Sequence, residues 1–381
     1  MNFPIYLDNC ATTALDPRAL EAMLPFLQEQ YGNPASVSHA LGAAAEKAVK
    51  QARGQIAELI GASSKEIIFT GGATESNNLA LIGAARKYRE RGKHLITCRS
   101  EHHAVVDTCG YLEQCGFEVT YLPVDRLGMI DLDELRSVIQ TDTILISLMA
   151  ANNETGVLHP LFEIGQIARE RKVLFHTDAT QAVGKVPLDV KAMHIDLLSM
   201  TGHKMYGPKG SGALYLSDKN PRVSLEPLLH GGGQERGLRS GTLNVPGIIG
   251  LAETCRLCVE NMEKERRQWK VLADTFYRRL TEKLDGVALN GHPEQRLVHV
   301  LNLAFDGNDS ETLMLALPDL AIASGSACTT TEIAPSHVLK AMGLSEKQAK
   351  SSLRFSLGRF STQEEIETAA DMVISAVQKL R

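Results

Sequence analysis

The 381-residue sequence lacks several features, and each shortage removes a class of function. No apolar run approaches the roughly 20 residues that a helix needs to cross a bilayer, so no membrane span is expected. The opening MNFPIYLDNC has neither the basic segment nor the apolar run of a signal peptide, which makes the cytoplasm the expected location. There is no basic surplus: the net charge is -5 and the pI about 6.2, so nucleic acid is not expected as a direct ligand. Seven cysteines are too few for a disulfide scaffold at this length, and a reducing compartment would keep them as thiols. Cys255 and Cys258 form a CxxC, but no second Cys/His pair stands at zinc-finger spacing, and GLAETCRLCVENMEKE reads as a helix. Helix packing is the reading for that pair, and no metal is expected. The phosphate-loop pattern GxxxxGK[ST] is missing, which argues against nucleoside triphosphates. Internal repeats, low-complexity tracts and long linkers are missing too.

What is present is an ordinary globular composition, 44% apolar and 22% charged, in a chain long enough for two domains. Asp16-Pro17 opens a helix through RALEAMLPFLQEQ, with Asp16 as the cap and Pro17 in the first turn. A second helix, AAAEKAVKQARGQIAELI, stops at Gly61. EIIFT, HLITC, TILISLM, VLFHT and IDLLSM are short apolar runs without alternation, as strands buried on both faces should be. Helical stretches such as TESNNLALIGAARKYRE and LFEIGQIARER separate them, which predicts an α/β domain around a mainly parallel sheet. From about residue 246 the pattern turns to long helices, LVHVLNLAF, a short helix at SETLMLAL and a last helix from Thr362. The expected organisation is a large α/β domain over residues 15–255 and a smaller α+β domain from 1–14 and 256–381.

Ligands of open parallel sheets bind beyond the carboxyl ends of the strands. Here those ends carry reactive residues. EIIFT runs into Gly71-Gly72-Ala73-Thr74, a turn entering a helix whose free amides suit a phosphate. HLITC is followed by His102 and His103, VLFHT by Asp178 and Gln181, and IDLLSM by Thr201, His203 and Lys204. An acid and a lysine at successive strand ends, with a phosphate cradle, point to pyridoxal phosphate. That cofactor needs a lysine for its Schiff base and an acid to keep its ring nitrogen protonated. A separate feature is IASGSACTTTEIAP, where Cys328 stands among small and polar residues. A structural cysteine usually sits among large apolar ones; this composition is that of a solvated loop carrying a thiol.

Ten motifs then fall in order from residue 6 to residue 359: YLDNCATT, YGNPAS, GATESNN, EHHAV, ANNETG, HTDATQAVGK, TGHKMYGPKG, RSGT, SGSAC and SSLRFSLGR. Together they resemble cysteine desulfurases of the NifS/IscS type, a branch of the class V aminotransferase group within the fold type I pyridoxal-phosphate enzymes. The resemblance implies that Lys204 is the Schiff-base lysine and proton-transfer base, and that Asp178 pairs with the ring nitrogen. By the same resemblance Gln181 bonds the ring oxygen, and His102 stacks on the ring, with His103 facing elsewhere. Ala73, Thr74, Thr201 and His203 would hold the phosphate, with Thr242 reaching the phosphate of a second subunit in a homodimer. Asn153 and Arg354 would grip the carboxylate of L-cysteine, for which a planar guanidinium is suited. The thiolate of Cys328 would take the sulfur, leaving alanine and a persulfide for an acceptor protein. Cys10, within DNCATT, is read as structural. Family members serve iron–sulfur assembly, tRNA thiolation or DNA phosphorothioation. The housekeeping iron–sulfur members carry a C-terminal extension that VQKLR does not supply, so a dedicated system stands as an alternative.

Overall fold

The computed structural model describes residues 4–219, 223–324 and 335–381. Among these, the strands are β1 (Ile5–Tyr6), β2 (Ile67–Thr70), β3 (His94–Cys98), β4 (Glu118–Leu122), β5 (Thr143–Ser147), β6 (Leu174–Asp178), β7 (Leu197–Thr201), β8 (Gly212–Leu216), β9 (Val287–Asn290), β10 (Val300–Phe305), β11 (Leu320–Ala321) and β12 (Ser352–Ser356). The helices are α1 (Pro17–Gln28), α2 (Ala40–Leu59), α3 (Ala73–Lys87), α4 (His103–Gln114), α5 (Leu132–Val138), α6 (Leu161–Arg171), α7 (Val245–Lys283), α8 (Ser310–Leu315), α9 (His337–Ala341), α10 (Glu346–Lys350) and α11 (Gln363–Leu380). No described helix is long and apolar enough to cross a membrane.

The main sheet has the spatial order β2-β8-β7-β6-β5-β3-β4. Its pairs are parallel from β4 through β3, β5 and β6 to β7, and β8 alone runs against its neighbours β2 and β7. The sheet is therefore mainly parallel, as the apolar runs predict. Those runs have a direct cause. Leu95, Leu145, Leu174 and Leu197 pack on one face with Leu79 of α3 and Cys109 of α4. Their successors Ile96, Ile146, Phe175 and Leu198 pack on the other, with Ile56 of α2, Ile164 of α6 and Leu251 of α7. Successive strand residues point to opposite faces, so a sheet covered on both faces needs apolar residues at consecutive positions. Each such side chain contributes about 1.5–3 kcal/mol of burial free energy. Two strands go beyond the sequence reading. EVTYL (β4) is a partly exposed edge strand with too few apolar residues to stand out, and GALYL (β8) follows a glycine- and proline-rich loop.

The helix punctuation follows its physical rules. Asp16 accepts from the Arg18 amide at 3.0 Å and Pro17 takes the first helical position of α1. Gly61, at φ +69°, follows the cap residue Ile60 of α2 in the left-handed conformation that ends helices. Helix α7 is 39 residues long and runs unbroken through residue 255, where the domain boundary is expected. Its first half packs Val245, Ile248, Leu251, Cys255 and Cys258 into the main-sheet core. Its second half packs Leu272, Phe276 and Leu280 into a separate core with α11 and the antiparallel sheet β9-β10-β12. The CxxC pair is thus buried helix packing. The N-terminal segment joins this second body: Ile5 and Tyr6 pair with Leu320 and Ala321, and Asp8 bridges to Ser356.

Candidate active site

Because β8 opposes both neighbours, β2 runs in the same direction as β3, β5, β6 and β7. With β4 parallel to β3, six carboxyl ends face one edge of the sheet, and the loops leaving β2, β3, β5, β6 and β7 surround a cavity of about 970 Å³. Every described site residue expected from the sequence lines this cavity except Thr242. Thr242 is exposed. Cys328 lies outside the described residues.

Lys204 ends a single turn that follows β7, and its ammonium donates to the carbonyls of Cys10 (2.5 Å) and Ala11 (2.6 Å). On the adjacent strand Asp178 is the last residue of β6 and is buried. Its carboxylate accepts from the Thr180 amide at 2.9 Å and from Asn77 Nδ2, reaching over from α3, at 2.7 Å. Gln181, one turn further, donates from Nε2 to the Cys10 carbonyl at 2.9 Å and accepts at Oε1 from Lys185 Nζ at 3.0 Å.

His102 caps α4, with Nδ1 accepting from the Ala104 amide at 3.1 Å, which places the ring proton on Nε2. Burial lowers its pKa, Asp178 opposes and Lys204 adds to the lowering, so the ring is neutral at neutral pH. His103 points away: its Nδ1 meets Asp107 Oδ1 at 3.1 Å and its ring lies 4.7 Å from that of His337.

Gly72 has φ +151°, a conformation open to glycine, and starts α3 so that its first amides stand at the cavity wall. A Cβ there would sit 3.6 Å from Thr201 Oγ1, inside the space between helix start and strand end. Ala73 and Thr74 open the helix on one side of that space, and Thr201 and His203 bound the other. His203 Nδ1 meets Thr12 Oγ1 at 3.2 Å. Its pKa is pushed down to about 4, mainly by burial and then by Lys204, Lys209 and Lys185.

Arg354, on β12, is 4% exposed, so it is no surface ion pair. Its Nη2 bonds Asp8 Oδ1 at 2.7 Å and its Nη1 bonds the Asn153 carbonyl at 2.9 Å. Arg354 Nε and Asn153 Oδ1 have no partner among the described residues, which leaves donor and acceptor capacity beside the cavity.

Several contributors were missing from the residue-by-residue expectation although each lies inside a quoted motif. Asn77 holds Asp178, Asp8 holds Arg354, Thr12 meets His203, and Lys185 bonds Gln181. Cys10 is structural in that its thiol is buried in the main core, yet its carbonyl serves the site as acceptor for Lys204 and Gln181. Glu101 is buried behind the cavity with its pKa pushed well up by burial; its Oε1 accepts from the Met149 amide at 2.5 Å. Strand-end spacing marks chemistry that points into the cavity. It is silent about supports arriving from elsewhere in the chain.

The donor set fits pyridoxal phosphate. Helix-start amides and hydroxyls suit the phosphate, a held carboxylate suits the pyridinium, and a lysine stands one strand away. Residues 5–368 match the family model described as aminotransferase class-V. A cysteine desulfurase IscS of Histophilus somni (strain 129Pt) is 54% identical over 383 residues, covering 100% of this chain and 94% of that protein. A solved NifS-like protein superposes with a TM-score of 0.92 at 36% identity, covering 98% of this chain and 99% of that one. Another, described as SspA in complex with cysteine, superposes with a TM-score of 0.83 at 40% identity, covering 94% and 99%. The chain belongs to the aminotransferase class-V family.

Proposed function

We infer that the protein is a pyridoxal-phosphate-dependent cysteine desulfurase that converts L-cysteine to L-alanine and loads the sulfur onto Cys328 for an acceptor protein. The observation that carries the reading is one cavity lined by Lys204 and Asp178 together with a buried Arg354 that has Asn153 at its side. Bound there, the cofactor supplies a temporary sink for electrons released at the substrate Cα. The residues of the chain do the rest. Asp178, held by Asn77 and Thr180, would set its carboxylate beside the ring nitrogen. Gln181 presents its amide N–H to the ring oxygen. His102, neutral and fixed by its capping bond, offers a flat face for stacking. Ala73, Thr74, Thr201 and His203 hold the phosphate. Arg354 and Asn153 orient the substrate carboxylate, so that Lys204 Nζ can move the Cα proton.

In the sulfur step the thiolate of Cys328 forms an S–S bond to the substrate sulfur. The substrate Cβ–S bond breaks, its electron pair goes to Cβ, and Cβ takes up a proton to become the methyl group of alanine. An ordinary thiol has a pKa near 8.5, so a minority is thiolate at neutral pH. The reading includes a homodimer in which Thr242, exposed and away from its own cavity, completes the phosphate site of a second copy. The acceptor belongs to iron–sulfur assembly, tRNA thiolation or DNA phosphorothioation, and the net charge of -5 favours delivery through a protein.

The test is alanine release from L-cysteine by wild type, Cys328→Ser and Lys204→Ala. The expected result is release in the wild type and none in either variant, with the cofactor's visible absorption kept in Cys328→Ser. Undiminished release by Cys328→Ser would remove that thiol from the reaction.

A further inference from the structure

Lys185 is 4% exposed and has no carboxylate within ion-pair distance among the described residues. Taking an ammonium out of water without a counter-charge is costly, and burial accordingly lowers its pKa. Its ammonium donates to Gln181 Oε1 at 3.0 Å. Lys185 sits four residues after Gln181, beneath a side chain that lines the cavity.

We propose that Lys185 is a positioning residue that locks the Gln181 amide with its nitrogen end toward the cofactor. The proposal rests on the reading above that Gln181 meets the ring oxygen. An amide presents a donor end and an acceptor end of nearly equal shape. A lysine ammonium only donates, so the group facing it is the amide oxygen. The Cys10 carbonyl only accepts, and it receives one N–H of the same amide at 2.9 Å. The second N–H is left for the cavity. Without Lys185 the amide would be held by the Cys10 carbonyl alone, and that carbonyl is shared with Lys204 at 2.5 Å. A flipped amide would set an oxygen against the ring oxygen, exchanging a hydrogen bond for a repulsion.

The lock has a spectroscopic consequence apart from turnover. A ring oxygen that accepts from Gln181 shares less of its electron density with the titratable nitrogen beside it, which lowers the pH midpoint of the bound cofactor's visible absorption. The experiment titrates that absorption in the wild-type holoenzyme, Lys185→Met, Gln181→Ala and the double variant, with thermal midpoints recorded alongside. Lys185→Leu serves as a second substitution should methionine pack badly. The expected result is a rise of about one pH unit in each single variant, the scale of one hydrogen bond to a charged group. The double variant should show no further rise, because both changes remove the same donor. Additive rises would mean that Lys185 acts through its charge, and would overturn the lock. An unmoved midpoint in Lys185→Met beside a moved one in Gln181→Ala would overturn the lock and leave the role of Gln181 standing. Unmoved midpoints in both would overturn the two together.

Discussion

At the scale of single residues, the buried guanidinium of Arg354 does two things that pull in different directions. It is tied to Asp8 and to the Asn153 carbonyl, and it keeps Nε without a partner. The ties fix the plane of the fork at the cavity wall, where the proposed function puts the substrate carboxylate. Lysine has a point charge and cannot hold two partners in a plane while presenting a further donor. Arg354→Lys should therefore lower kcat/KM for L-cysteine by roughly 30- to 100-fold, about 2–3 kcal/mol of charge-assisted hydrogen bonding. The cofactor's absorption should stay unchanged. Steady-state kinetics beside a visible spectrum would check both halves, and loss of the cofactor band would show that Arg354 supports the ring rather than the substrate.

At the scale of elements, two junctions decide whether the cavity keeps its shape. The first is the entry to α3. Gly72 adopts φ +151°, where a side chain is strained by about 1–3 kcal/mol although its Cβ would meet Thr201 Oγ1 only in ordinary contact at 3.6 Å. Gly72→Ala should weaken cofactor retention during dialysis against inorganic phosphate about tenfold, in line with the lower end of that strain. The second junction is Arg359, which bonds Asp16 at the start of α1 (2.7 Å) and Glu265 of α7 (2.6 Å), with its guanidinium 4.3 Å from the centre of the Tyr206 ring. Removing it takes the cation from the buried Glu265, while Asp16 keeps Arg18 at 2.8 Å. Arg359→Ala should cost about 3–5 kcal/mol in urea denaturation; a loss under about 1 kcal/mol would mean that α1 and α7 are held by apolar packing alone.

At the scale of the whole molecule, the interior holds many neutral histidines, and this sets the response to acid. His159 and His176 are buried with pKa values pushed down to about 4, chiefly by burial. A histidine depressed from an unfolded value near 6.5 contributes stability fully present above that value and lost as pH falls toward 4. Glu154, pushed up to about 7 by burial, and Glu101 and Asp196, also raised by burial, have the opposite sign and offset part of the loss. The histidines outnumber these carboxyls, since burial also lowers His94, His102, His203, His299 and His337. Stability should therefore fall between pH 7 and pH 5. His159→Leu should shrink that fall by about 2 kcal/mol, because both ring nitrogens of His159 lack partners among the described residues. Urea unfolding at the two pH values would check it; an unchanged difference would show that His159 takes up its proton as readily in the fold as in the unfolded chain.

The fold class was legible in the sequence because a sheet covered on both faces demands consecutive apolar residues, as at Leu95-Ile96 and Leu174-Phe175. The chemistry was legible because parallel strands deliver their following residues to one edge, so Asp178 and Lys204 announced themselves by position and the ten motifs identified the family. Sequence by itself thus determined the architecture, the cofactor and the reaction class. The supports were decided by tertiary structure. The Cys10 carbonyl meets Gln181 across 171 residues and Lys204 across 194, and Arg354 meets Asp8 across 346. No local spacing encodes such meetings. They arise because folding the N-terminal segment against β12 carries residues 8 to 12 into a cavity built by strands far along the chain, where burial makes each polar group require a partner.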